Sequence, residues 1–117
     1  MMDVNEKDWK LFRKKAPEWQ RRRIEELNAS YMALLSSSLS AEEKFWKLRN
    51  RIIKDSNNPC VDMDMRRSSM HQNLIALLTR NIISLDDLEG FSDDLVNTMR
   101  AVLASYYQTY DEAINDD

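Results

Sequence analysis

The chain has 117 residues with 1 Gly, 2 Pro, 1 Cys and 1 His, and its 17 Lys and Arg against 20 Asp and Glu leave a net charge of −3. One Cys excludes an internal disulfide framework, one Gly excludes a phosphate-cradling or dinucleotide-binding loop, and one His excludes a two-histidine metal site. With 43% hydrophobic residues the chain has apolar material for one core, and the expectation is a single helical domain over residues 1–117.

In chain order, the first segment is Asn5 to Lys15, capped by Asp3 or Asn5, with Trp9, Phe12 and Leu11 as a short apolar stripe. Pro17 suits the first turn of a new helix, where its missing N–H costs nothing. That second helix is expected from Pro17 to about Leu35, with Ile24, Leu27, Tyr31 and Leu34 on one face. Ser36, Ser37 and Ser38 break it.

Ser40 with Glu43 three residues on is a helix-start pattern. The helix that follows carries Phe45, Leu48 and Ile52, with Trp46 and Ile53 one step round, a stripe wide enough to bury against more than one neighbour. It should end near Asp55, ahead of the Ser56-Asn57-Asn58-Pro59 turn cluster. A fourth helix is expected over roughly Asp62 to Arg80, burying Met70, Leu74, Leu77 and Leu78. Ser84 with Asp87 starts a very short helix that Gly90 ends. The last helix starts at Ser92-Asp93-Asp94 and carries Leu95, Met99, Val102, Leu103, Tyr106, Tyr110 and Ile114 on one face. The resulting fold class is all-α, a compact bundle of four main helices plus two short ones.

Charge is split along the chain. Residues 1–59 hold 13 bases and 9 acids, a balance of +4; residues 60–117 hold 4 and 11, a balance of −7. Packing of the basic half beside the acidic half, in one chain or across a dimer, is the first reading. A basic strip for nucleic acid, Arg13, Lys14, Lys15, Arg21, Arg22 and Arg23, is the second; a sequence pI near 5.2 and the acidic half both oppose a polyanion. A third is an acidic patch of Asp86, Asp87, Glu89, Asp93 and Asp94 that imitates nucleic acid toward a basic groove. First-turn acids that offset helix dipoles are the simpler account of that patch.

His71 alone supports no catalytic triad, and Cys60, Asp62, Asp64 and His71 match no metal cage. No catalytic residue, cofactor or metal is expected, and the chain reads as not an enzyme. Aromatic residues and seven Met instead suggest protein binding, because Trp, Tyr and Met are enriched at interface centres. Trp9, Phe12, Trp19, Trp46 and Tyr107 are the candidate interface, with at least two expected to expose apolar area. The expected function is a protein–protein interaction module, self-associating or binding another protein. A nucleic-acid-binding or regulatory module is the alternative. No stretch approaches about 18 apolar residues, so no membrane span is expected. The acidic start Met1-Met2-Asp3-Val4-Asn5-Glu6 gives no secretory signal, and the unpaired thiol suits the cytoplasm.

Four stretches carry a resemblance: Asn5 to Phe12, Pro17 to Gln20, Glu43 to Trp46, and Ile83 to Leu95. In these the chain resembles a group of small uncharacterised proteins of Gram-positive gut-type bacteria. Some of that group are labelled "multidrug transporter", a label at odds with the lack of a spanning segment here. The resemblance covers most of the chain and carries no catalytic residues. It implies a cytoplasmic bacterial protein associated with mobile elements.

Overall fold

The structure is a computed structural model that describes residues 4–58 and 60–115, with side chains to residue 109. Helix α1 runs from Glu6 to Leu35, α2 from Ala41 to Ser56, α3 from Met70 to Thr79 and α4 from Asp93 to Asn115. Two 3-10 turns, Arg67–Ser69 and Leu85–Leu88, precede α3 and α4. Among the described residues there is no strand, and the fold is all-α.

The two helices expected on either side of Pro17 are one helix of 30 residues. Asn5 caps it, its Oδ1 accepting the Lys7 N–H at 2.8 Å. An interior Pro costs about 3 kcal/mol. Phe12, Ala16 and Trp19 lie on one face across that proline, and all three are buried. The unbroken helix keeps both aromatic rings in the core, and each buried ring contributes about 2–3 kcal/mol. Packing outweighs the local penalty.

α2 starts and ends where its sequence pattern places it. Ser40 Oγ accepts the Glu43 N–H at 3.2 Å, and Asn57 follows the last turn. α3 is shorter than the expected Asp62–Arg80. Asp64 takes the chain out of helical geometry: its Oδ1 accepts the Arg66 N–H at 3.1 Å, an Asx turn. Its carboxylate also receives the Arg66 guanidinium at 2.6 Å and the Ser69 hydroxyl at 3.1 Å. These bonds, the Arg66 side chain foremost, hold the Asp64 carboxyl down to about 2.

The link into α4 follows its sequence signals. The Ser84 N–H donates to Asp87 Oδ2 at 2.8 Å, closing the 3-10 turn. Gly90 has φ +93°, and a Cβ there would meet Leu11 Cδ2 at 3.2 Å. Both conformation and space therefore favour glycine. Ser92 Oγ accepts the Leu95 N–H at 3.3 Å. The expected stripe on α4 fades along its length. Leu95 and Met99 are buried, Val102 and Leu103 half-buried, and Tyr106 exposed. Tyr110 and Ile114 have side chains outside the described ones, as Pro59 lies outside the described residues.

One core joins the first half of α1 to α3, the Leu85–Leu88 turn and the start of α4. Phe12, Met70, Leu74, Leu77, Leu88 and Leu95 form its centre. The bundle is not compact. Its radius of gyration is 17.3 Å over extents of 52 × 42 × 22 Å, against about 13 Å for a globular domain of this length. The second half of α1 and all of α2 project from the core as a helical hairpin, here called the arm.

Candidate functional site

The arm is held by its inner face. Lys44, Leu48, Arg51 and Asp55 of α2 are half-buried, at i, i+4, i+7 and i+11, and they look toward Leu27, Ser30, Tyr31 and Leu34 of α1. The contacts between the two faces are largely polar. The Tyr31 hydroxyl donates to Asp55 Oδ2 at 2.6 Å. Arg51 donates to Ser30 Oγ at 2.7 Å and lies 5.6 Å over the Tyr31 ring. Desolvation, then the bond to Asp55, pushes the Tyr31 phenol up to about 12, because the phenolate would face a carboxylate.

The outer face of α2 is apolar and uncovered. Phe45 is 62% exposed, Trp46 56%, Ile52 44% and Ile53 47%. These four sit at i, i+1, i+7 and i+8 and span about 120° of the helix at 100° per residue. That is the width of a stripe that normally faces a core. The expectation that it buries against several neighbours is overturned: no residue of α2 is buried. The stripe is turned away from the half-buried inner face, and among the described residues no other helix buries it. Phe45 and Trp46 meet edge to face at 5.1 Å, and the Arg49 guanidinium lies 5.8 Å over the Trp46 ring, so a cation sits in the middle of the stripe. Met32 and Leu35 of α1 add exposed apolar surface near the tip.

The five candidate interface residues separate. Phe12 and Trp19 are corrected to core residues: they are 0% and 5% exposed, and Trp19 stacks on Phe91. Trp9 is half-buried and stacks on Phe12. Trp46 and Tyr107 are exposed, the latter donating its hydroxyl to Asn81 Oδ1 at 3.4 Å. Only Trp46 lies in an apolar face of the arm.

The six candidate strip residues do not form one strip. Three consecutive residues cover 200° of a helix, so the Arg13–Lys15 and Arg21–Arg23 runs wrap around α1. Lys15 and Arg22, seven apart, face the core side. Lys15 Nζ donates to the Glu89 carbonyl at 3.0 Å, and Arg22 to the Ile82 carbonyl at 2.9 Å and to Asp87 Oδ2 at 3.4 Å. Arg23 pairs with Glu26 at 3.2 Å, and Arg13 lies over the Trp9 ring. Lys14 and Arg21 are exposed on the other side.

The acidic patch divides as well. Asp87 is consumed within the chain by Ser84 and Arg22, which with their hydrogen bonds hold its carboxyl low against the opposing effect of burial. Asp86, Glu89 and Asp93 instead surround an open groove of about 450 Å³ whose apolar lining is Leu85, Leu88, Phe91 and Val96. Asp94 is exposed beside them on the first turn of α4.

Asp8 escaped the sequence reading. It is 3% exposed, and its carboxylate accepts the Ser92 N–H at 2.8 Å and the Ser92 hydroxyl at 2.6 Å. It fastens the first turn of α1 to the cap of α4. In sequence it is one more first-turn acid, and only its place on the Phe12–Ala16 face could have marked it. Cys60 is buried, and desolvation pushes its thiol up, away from reactivity. Among the described residues no cluster of three or more His, Cys, Asp or Glu is placed to hold a metal, and no helix is long and apolar enough to cross a membrane. Compared with protein-family models, curated proteins and solved structures, the chain matches none.

Proposed function

We propose that the chain is a non-enzymatic protein-interaction module whose docking face is the outer side of α2. One observation carries this reading. A capped helix of 16 residues presents Phe45, Trp46, Ile52 and Ile53 to solvent and buries none of its own residues. An apolar stripe of this width exposed on a surface marks a site that something else covers. Its composition suits the role, since Trp and Arg dominate binding hot spots and Arg49 lies over Trp46. The polar inner face presents that stripe outward as a preformed surface, which lowers the ordering cost of binding. The cytoplasm is the proposed compartment, since Cys60 is an unpaired thiol.

The test is photo-crosslinking in the source cells, with a photoreactive residue at Ile53 and, as control, at the exposed Arg100 of α4. A protein adduct is expected from position 53, lost on Phe45→Ala with Trp46→Ala, and none from position 100. No adduct from the arm at native expression would sink the reading.

A further inference from the structure

We infer that the outer face of α2 pairs with the same face of a second copy of this chain, the two arms lying side by side and end for end. The inference rests on the proposed docking role of α2 and names its occupant.

The charges that lie within the face select that occupant. At about 100° per residue, Glu42 and Arg49 fall between Ile52 and Trp46, inside the apolar stripe. The other cations of α2 lie off it. Lys44 and Arg51 look toward α1, and Lys47 and Lys54 sit on the side opposite the stripe. The face therefore carries one acid and one base, seven residues and about 10.5 Å apart along the helix. Among the described residues neither has an ion-pair partner in its own chain. An occupant with a single strong sign of charge would set a like charge against one of the two. The fitting occupant has a base and an acid around an apolar centre, in reversed order. The face itself has that order when turned about a two-fold axis, so a second copy supplies it by symmetry.

The same charges fix the register. An axis between Phe45 and Trp46 sets Glu42 of each copy against Arg49 of the other, and each Phe45 against the other copy's Trp46 at the centre. A parallel pairing, or an axis at Arg49, would bring the two guanidinium groups together instead. The apolar residues then supply affinity, and the charges supply specificity.

The rest of the arm agrees with this axis. Ile52 and Ile53 of each copy fall opposite residues 39 and 38 of the other, at the tip, where Met32 and Leu35 are exposed. Those two share the stripe's side of the arm. On both helices the exposed apolar residues follow the inner face in the same rotational sense. Leu35 and Met32 follow it by about 90° and 150° on α1, and Ile52 to Trp46 by about 70° to 190° on α2. In antiparallel neighbours that is one side. Each tip ends beside the other copy's residues 52–55, short of its core, so the two bodies stay at opposite ends.

Area permits the pairing. The chain exposes 8299 Å², against about 6,700 Å² for a compact monomer of its mass. The excess of roughly 1,600 Å² exceeds the ~800 Å² that each partner buries in a standard interface.

Sedimentation velocity on the purified full chain, over a dilution series, tests this. A reversible dimer is expected. Glu42→Arg and Arg49→Glu should each raise the dimer Kd by about tenfold or more, since each sets like charges against each other twice. Both side chains are exposed, so both variants should keep the parent's helical circular dichroism. Mixing the two variants should restore a one-to-one complex, and Glu42→Arg with Arg49→Glu in one chain should restore the homodimer. In cells, the adduct from position 53 should have twice the mass of the chain. A monomer at every concentration overturns the inference. So does a dimer indifferent to both reversals, or one that neither mixing nor the exchange within one chain restores. A monomer whose position 53 crosslinks to a different protein in cells removes the second copy and leaves the docking role standing. A monomer with no adduct removes both.

Discussion

From Asp8 to Trp19, α1 buries one face against α3, the Leu85–Leu88 turn and α4; from Arg23 to Leu35 the same helix meets mainly α2 and buries nothing fully. Both stretches are continuous helix with apolar residues at helical spacing. They differ in what lies opposite. The first half meets Met70, Leu74 and Leu95, which supply apolar surface. The second half meets a helix face carrying Lys44, Arg51 and Asp55, whose contacts are polar. Helix formation and core formation are thus separable here: capping and periodicity make α2 a helix, and the aim of its stripe decides that it packs no core.

The largest expected difference between the two regions is in aromatic truncation. Phe12→Ala should cost about 3–5 kcal/mol in chemical denaturation, since it empties a fully buried site. Phe45→Ala, a ring of the same size, should stay within about 0.5 kcal/mol in dilute protein. Equal costs would mean that the arm is part of the core.

Next in size is Asp8→Ala. It strips the acceptor from the Ser92 N–H and hydroxyl at a buried joint, and an orphaned buried donor costs about 1–3 kcal/mol. The loss should appear in denaturant midpoints and leave the arm's amide exchange unaltered.

Gly90→Ala should cost about 1–2 kcal/mol, from the left-handed backbone and the close approach of Leu11. A neutral result would show that the link before α4 relaxes freely.

The smallest effect is confined to the arm. Tyr31 should ionise near pH 12 in a spectrophotometric titration, against about 10 for an exposed tyrosine. Its folded pKa lies above its unfolded one, so the stability it lends the arm is complete below pH ~10 and lost as pH rises toward 12. Asp55→Asn should bring the titration back toward the ordinary value. A titration wholly unchanged in this variant would show that the Tyr31–Asp55 bond contributes nothing to the shift, leaving desolvation as its cause.

Much of the local structure was legible in the sequence, because local chemistry sets it. Ser40, Ser84 with Asp87, Gly90 and Ser92 each mark an element boundary that the structure keeps. The errors arose where distant residues decide. Pro17 reads as a start, yet burial of Phe12 and Trp19 carries the helix through it. Asp64 reads as part of a helix, yet its bonds to Arg66 and Ser69 shorten α3. Of the candidate site, Trp46 is among the candidate interface aromatics and is exposed, whereas Phe45, read as part of the buried stripe, is exposed as well. That their whole stripe stays uncovered was not legible, since periodicity reveals an apolar face and not what lies over it. The charge split acquires a structural sense. Lys15 and Arg22 spend part of the basic half on the Ile82–Glu89 stretch, and the cations of α2 remain outside that contact.

The central claim is that the outer face of α2 is open in the single chain while the core is closed. Thiol labelling of the Ile53→Cys variant in dilute solution tests it most directly, with Cys60 as the internal reference. The thiol introduced at position 53 should react at the rate of an unstructured peptide, while Cys60 reacts only when denaturant opens the core. Protection at position 53 in the dilute monomer, comparable to that of Cys60, would contradict the claim and place α2 inside the fold.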